Sequence, residues 1–403
     1  MQNAQALDAA DPLAALRDAF FIPDGMIYFD GNSLGAMPKA ALGIVSKATQ
    51  QEWATDLITS WNKAGWFELP TAYGDKLAPV IGASAGEVAI CDSTSINLYK
   101  ALFAGLSLRP TRSVILAEKS SFPTDLYMVE GALAARPDLE MRLVDDLLAT
   151  IDETVAVVLV NHVDYRTGAV APVEAITGRA HEMGAVVIWD LCHSAGVLPV
   201  ELNEAGADLA VGCTYKYLNG GPGSPAFIYC AAKHFPHVSQ PLSGWWGHAK
   251  PFAFDTGFAP DTGIRKFLCG TQPILSFRAL EAGLDIISGL DMAVVRAKSQ
   301  SLTALFIEQV AAKVPALTLA SPAAAMARGS QVSFTHENAY PIVQALISRG
   351  VVGDFRMPNV LRFGFSPLYL SHTDVMRAVN IIQDIMDTGA WQAAEFQAGE
   401  AVT

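Results

Sequence analysis

This chain is short of charge, lacks any basic cluster, and has neither a paired-cysteine motif nor an unbroken apolar run of membrane-spanning length. Only 17% of its 403 residues are charged, and 40 Asp and Glu outnumber 27 Lys and Arg, for a net charge of −13. Without a Lys/Arg patch it has no electrostatic footprint for a phosphate backbone, so nucleic acid is excluded as a partner. The five cysteines, Cys91, Cys192, Cys213, Cys230 and Cys269, are odd in number, irregularly spaced and free of any CxxC. A chain this long does not need disulfides, and the expected setting is a reducing cytoplasm with the cysteines acting as small buried hydrophobes. No metal is expected. Met1–Ala10 carries Asp8 and no charged-then-apolar leader pattern. Residues 217–232 lack charge, but Gly and Pro interrupt them, so no membrane span is expected.

What is present in quantity is apolar side chain, 51% of residues. That suits a large core and an apolar subunit interface. Residues 1–80 read as a loop-rich segment with short helices. From about 85 to 230, short apolar stretches alternate with helical ones. The strand candidates are Glu87–Cys91, Ser113–Ala117, Val155–Val160, Ala185–Trp189, Leu209–Gly212 and Ala226–Tyr229. Helical stretches include Ile96–Leu106 and Val173–Met183. The alternation predicts an α/β fold with a mostly parallel sheet covered by helices, and ligands at the carboxyl ends of its strands. Helical character returns at Pro273–Ile287. The last hundred or so residues read as a smaller α+β unit, with strands near Gln331–Thr335 and Val360–Phe365. The expected division is 1–80, 81–285 and 286–403.

Two residues stand out at predicted strand ends. Asp190 follows Ala185–Trp189. Lys216 follows Leu209–Gly212 and precedes the turn Leu218-Asn219-Gly220-Gly221. A lysine is seldom set in so apolar a stretch without a partner. An amine that can form an imine and an acid that can hold a ring nitrogen protonated are the two groups that pyridoxal phosphate requires.

Other segments carry two readings each. Asp92-Ser93-Thr94-Ser95 opens a helix, either as ordinary capping or as a phosphate cradle. Phe122 and Asp125, in Ser121-Phe122-Pro123-Thr124-Asp125, belong to a Pro-containing turn, or they stack on a planar ring and reach a cofactor or orient His193. His193 is a satisfied core histidine or a support for Asp190. Trp245 and Thr271 lie in polar-aromatic loops and can reach a phosphate. Arg362, a charge inside an apolar strand, needs an anionic partner: a structural acid or a substrate carboxylate.

Taken together, Phe29-Asp30-Gly31-Asn32-Ser33-Leu34-Gly35, Ser121–Asp125, Asp190-Leu191-Cys192-His193-Ser194-Ala195-Gly196, Tyr215-Lys216-Tyr217-Leu218-Asn219, Gly244-Trp245-Trp246-Gly247-His248 and Gly270-Thr271-Gln272-Pro273 resemble the kynureninases. These are pyridoxal phosphate enzymes of fold type I, the aspartate aminotransferase-like superfamily. The resemblance spans roughly 20–385. It implies a large domain with a seven-stranded sheet, a smaller C-terminal α+β domain and a homodimer. It also implies hydrolytic Cβ–Cγ cleavage of L-kynurenine to anthranilate and L-alanine in tryptophan catabolism, with 3-hydroxykynurenine as the alternative substrate.

Carried over by position, Lys216 is the Schiff-base lysine, Asp190 the pyridinium partner and Phe122 the stacking ring, with Asp125 beside it. Thr94, Ser95, His193, Tyr215, Trp245 and Thr271 fall where the family contacts the cofactor. Tyr215 is the candidate proton carrier. Arg362 falls where the family clamps the substrate carboxylate, with Trp61 and Asn161 also assigned to the substrate side. Asn161 stands where some relatives have a small hydroxyl residue. Thr271, in place of the Asn of animal enzymes, and Trp61 together resemble the bacterial type, which favours L-kynurenine. Three rivals remain: a cysteine desulfurase, an aminotransferase and a non-catalytic binding protein. A desulfurase needs a late catalytic cysteine, and none follows Cys269.

Overall fold

A computed structural model describes residues 2–398. Its centre is a seven-stranded sheet. In chain order the strands are β1 (Val88–Ile90), β2 (Val114–Glu118), β3 (Glu140–Val144), β4 (Val155–Asn161), β5 (Val186–Asp190), β6 (Leu209–Gly212) and β7 (Phe227–Cys230). Their spatial order is β1-β7-β6-β5-β4-β2-β3. All neighbouring pairs are parallel except those made by β7, which runs antiparallel to both β1 and β6.

The sequence explains this sheet. Strands β4 to β7 are largely apolar runs, aliphatic in β4 and β6 and with aromatic residues in β5 and β7, buried on both faces, the pattern of a sheet covered on either side. Six strands fall where the apolar runs predict them. The seventh, β3, was not predicted. It is an edge strand whose residues Glu140-Met-Arg-Leu-Val are exposed or half-buried, so it lacks the apolar signal that marks its neighbours. From β2 the chain steps outward to β3, whereas from β4 it proceeds the other way to β5 and β6. That reversal leaves a crevice at the carboxyl ends of β2 and β4, where α/β folds bind ligands.

Helices α1 (Thr94–Ser107), α2 (Pro123–Ala135) and α3 (Val173–Glu182) cover the sheet, and α4 (Ile274–Ile287) and α5 (Met292–Lys313) follow it. The C-terminal part holds an antiparallel sheet of four strands: β8 (Thr318–Leu319), β9 (Gln331–Thr335), β10 (Asp354–Arg356) and β11 (Val360–Gly364), in the order β8-β9-β11-β10. Helices α6 (Ala339–Ser348) and α7 (His372–Thr388) accompany it. Helix α7 starts at a capping box in which the Ser371 hydroxyl accepts from the Asp374 N–H and Asp374 reaches back. The N-terminal residues form short helices and two-residue strands, as their turn-rich sequence predicts. Among the described residues no helix is long and apolar enough to cross a membrane.

Candidate active site

The strand ends converge on one cavity of about 300 Å³. Its lining includes Thr94 and Ser95 from the start of α1, Phe122 and Asp125 after β2, and Asn161 at the end of β4. Asp190 comes from the end of β5 with His193 just beyond, and Tyr215 and Lys216 come from after β6. Nine residues singled out in the sequence therefore meet in one place. Asp190 is the last residue of β5 rather than the first after it.

The Lys216 loop is shaped by close backbone contact. Gly35 donates its N–H to the Tyr215 carbonyl at 2.7 Å, and a Cβ on Gly35 would lie 2.2 Å from the Lys216 carbonyl oxygen, so only glycine fits. Asn219 adopts a positive φ of 56° and donates its side-chain amide to the Ala36 carbonyl at 2.9 Å. The Phe29–Gly35 motif and the Lys216 motif thus pack directly on each other. Lys216 makes no salt bridge among the described residues, and its ammonium lies 5.9 Å from the centre of the Tyr215 ring. Burial, then the neighbouring Cys213 and Cys192 thiols, push the Tyr215 phenol well up, so it carries its proton at neutral pH.

Asn161 organises the acids. Its Nδ2 donates to Asp125 at 2.7 Å and to Asp190 at 2.8 Å, and its Oδ1 accepts the Phe122 N–H at 2.8 Å. The other Asp190 oxygen accepts the Cys192 N–H at 2.8 Å. Burial, then the nearby Asp190 charge, raise Asp125 well above the usual carboxylate range. Charge on Asp125 is thus disfavoured beside its neighbouring acid. The sequence placed Asn161 beside the substrate. The structure shows it lining the cavity and bonded to both acids, contacts that no local motif announces.

His193 is buried, and burial followed by the Lys216 and Arg362 charges holds its imidazole far below the usual value, in the neutral form. Its Nδ1 has no hydrogen-bond partner among the described residues. Asp125 makes no hydrogen bond to His193 among the described residues.

Four predicted residues do not line this cavity. Trp61 and Trp245 line a larger one of about 840 Å³ with the aromatic segment 250–258. There Trp61 meets Trp245 edge-on at 5.6 Å, while Trp245 stacks on buried Trp246 at 5.1 Å. Thr271 is exposed on a loop just before α4. Arg362, the fourth, is buried in β11 behind the first cavity. Its Nε donates to Asp354 at 2.7 Å and its Nη2 donates to the other Asp354 oxygen and to Ser33. Its Nη1 donates at 2.8 Å to the carbonyl of Tyr165, itself a lining residue. Asp354 and Arg362 are direct cross-strand partners in the β10–β11 register. Four of the five guanidinium N–H groups are committed.

The residues fit pyridoxal phosphate. Residues lining one cavity supply an amine with no acid partner among the described residues, an acid pair for the ring nitrogen, an accessible aromatic face at Phe122, a buried histidine and a helix start bearing the Thr94 and Ser95 hydroxyls. Among the described residues no cluster of His, Cys, Asp and Glu could hold a metal ion.

Comparison with known proteins agrees. Residues 295–382 match the family model described as the kynureninase C-terminal domain. A kynureninase from Burkholderia pseudomallei (strain 1106a) is 52% identical over 100% of this chain and 99% of its own length. One from Pseudomonas fluorescens is 50% identical over 99% and 98%. Among solved structures, a cysteine desulfurase from Thermococcus onnurineus NA1 matches with a TM-score of 0.78 at 19% identity, covering 93% of this chain and 98% of that one. A C-DES mutant with glycine covalently linked to its pyridoxal phosphate cofactor matches with a TM-score of 0.76 at 18% identity, covering 91% and 99%. At those identities the structures speak for the fold alone. The full-length identity of one half decides the family: this chain belongs to the kynureninases.

Proposed function

We propose that the cavity around Lys216 holds pyridoxal phosphate and hydrolyses the Cβ–Cγ bond of L-kynurenine, giving anthranilate and L-alanine. The observation that supports it most is the meeting of Lys216, Asp190 and Asp125 at the carboxyl ends of three sheet segments. When bound, the cofactor supplies an aldehyde that captures amines and a cationic ring that draws electrons from the substrate α-carbon.

The chain's own groups do the rest. Lys216 Nζ would hold the cofactor through its amine and, when free, would take the substrate α-proton. Asp190, oriented by Asn161 and by the Cys192 N–H, holds the proton on the ring nitrogen. Asp125, its ionisation disfavoured by burial and by the Asp190 charge, lies beside Asp190. Phe122 would hold the ring by stacking, and Thr94 and Ser95 at the start of α1, with Tyr215 and His193 also in the lining, would hold the phosphate. Water adds to the substrate γ-carbonyl, that carbon leaves as the carboxylate of anthranilate as the Cβ–Cγ bond breaks, and Tyr215, held protonated, would donate to the β-carbon. The uncommitted N–H of Arg362 engages the substrate carboxylate, while Asp354 fixes the guanidinium plane.

Trp245, Thr271 and Trp61 act on a second copy's site, making the enzyme a homodimer. The exposure of Trp53 (60%), Leu42 (72%) and Ile58 (75%) along the N-terminal segment supports that reading. Thr271 and Trp61 together favour L-kynurenine over its 3-hydroxy form. Cytoplasmic residence suits five free thiols.

The test is to load the purified protein with pyridoxal phosphate, add L-kynurenine, and follow anthranilate fluorescence and alanine. Equal amounts of the two products are expected. Cofactor binding without anthranilate overturns the reaction assigned here.

A further inference from the structure

Beside the start of α1 lies a buried polar cluster that the proposed chemistry does not use. Lys100, on α1, is fully buried, which for a lysine demands partners. Its ammonium is held by the Asp92 carboxylate and donates to the Phe267 carbonyl at 2.6 Å. Asp92, just after β1, has a positive φ of 48°, a conformation that a non-glycine residue keeps only where its surroundings over-determine it. The surroundings do so here. The Asp92 N–H donates to Gln272 Oε1 at 2.9 Å, and the Asp92 carbonyl accepts from Ala226 at 2.9 Å. Gln272 is itself buried, and its amide donates to the Gly270 carbonyl at 3.2 Å.

One cation and one amide therefore join the start of α1, which presents Thr94 and Ser95, to segment 267–272, which presents Thr271. The same segment carries the tryptophan turn. The Trp246 N–H donates to the Cys269 carbonyl at 3.2 Å, and a Cβ on Gly244 would lie 2.3 Å from that carbonyl oxygen. Trp245 is thus tied to the same brace.

A buried ion pair is weak grounds for stability, because well-packed apolar residues usually do as well. What this one does is set distance. We propose that Lys100, Asp92 and Gln272 are positioning residues that lock the Thr94-Ser95 helix start to the 267–272 segment. They thereby fix the spacing of phosphate-binding groups in the chain's own site and, through Thr271 and Trp245, in a second copy's. This rests on the phosphate contacts and the shared dimer proposed above. It adds that the two sites are joined by a rigid connection only a few residues long.

The test compares pyridoxal phosphate with pyridoxal, which lacks only the phosphate. Both are titrated into apoprotein by imine absorbance, alongside thermal unfolding of the apoprotein. Gln272→Leu keeps volume and removes the acceptor. Lys100→Met with Asp92→Asn removes the pair without stranding a charge. Gln272→Glu keeps an acceptor. The first two should weaken pyridoxal phosphate binding by about tenfold or more while pyridoxal binding stays within about twofold, the loss of one well-placed polar contact. Gln272→Glu keeps the acceptor for the Asp92 N–H but loses the donor to the Gly270 carbonyl, so its preference for the phosphorylated form should fall between those of wild type and Gln272→Leu. If Gln272→Leu keeps the wild-type preference for the phosphorylated form, the brace is wrong. If both aldehydes weaken in parallel, its role is merely structural, and the proposal is again overturned. A wild-type protein that binds both aldehydes equally refutes the phosphate assignment, and the brace falls with it.

Discussion

Residues 122–216 and residues 243–273 face the same proposed chemistry but are built in opposite ways. In the first stretch each candidate residue sits at or just past the end of a strand, and the parallel sheet sets its neighbours. Asn161 and Asp190 are register partners across β4 and β5. Strand pairing therefore brings together side chains far apart in sequence, and one cavity results. The second stretch has no strand, only two short 3₁₀ turns and an isolated bridge between His248 and Pro260. Its anchor is Trp246, fully buried with its indole N–H on the Phe67 carbonyl at 3.1 Å. Burying a ring of that size contributes roughly 4–6 kcal/mol, ample to hold a loop that lacks a ladder. The residues beside the anchor, Trp245 and Thr271, stay off the Lys216 cavity. A sheet can finish a site within one chain, whereas an anchored loop can present residues outward to another.

The sharpest way to break this contrast is to remove the amine from the first stretch. Lys216→Ala should lose the imine absorbance and reduce turnover at least about a thousandfold, since one group both anchors the cofactor and moves the proton. A persisting imine band would place the chemistry elsewhere. A smaller effect separates proton transfer from binding. Tyr215→Phe should lower turnover about a hundredfold with cofactor content unchanged, measured as rate per bound cofactor. Lost cofactor with an unchanged rate per site would make Tyr215 a binding residue only.

The smallest effect concerns stability where the first stretch meets the C-terminal part. His162 follows Asn161, and burial, then the Arg296 charge, lowers its imidazole to about 4. The unfolded chain takes up that proton near 6.5. Its contribution is therefore complete above about 6.5 and is lost as pH falls toward 4, with His193 acting in the same direction. His162→Gln should flatten the dependence of denaturant midpoint on pH across that window. An unchanged slope would assign the loss to other groups.

Legibility in the sequence followed the same division. Apolar runs marked six of seven strands because those strands are buried on both faces. Edge strand β3 escaped because its side chains are half in water. Lys216, Asp190, Phe122 and the α1 start were readable because each ends an element with its own signal. The partners of Asn161 were not readable, because its bonds depend on register between strands and on a helix that starts elsewhere. Asp354 had a faint signal, an acid among apolar strand residues opposite Arg362, visible only once β10 and β11 are paired. Lys100 carries no local signal that sets it apart within the helical stretch Ile96–Leu106. Its burial follows from packing against segment 267–272, which local pattern does not encode.

The central claim is that one copy supplies the amine and another the outward loop. It can be tested by mixing two inactive chains, one with Lys216→Ala and the other with Trp245→Ala and Thr271→Ala, and allowing subunits to exchange. If sites are shared, each mixed dimer holds one intact site, and random pairing should restore about a quarter of wild-type anthranilate release. Mixed dimers that form but release no more anthranilate than their parents would contradict the account.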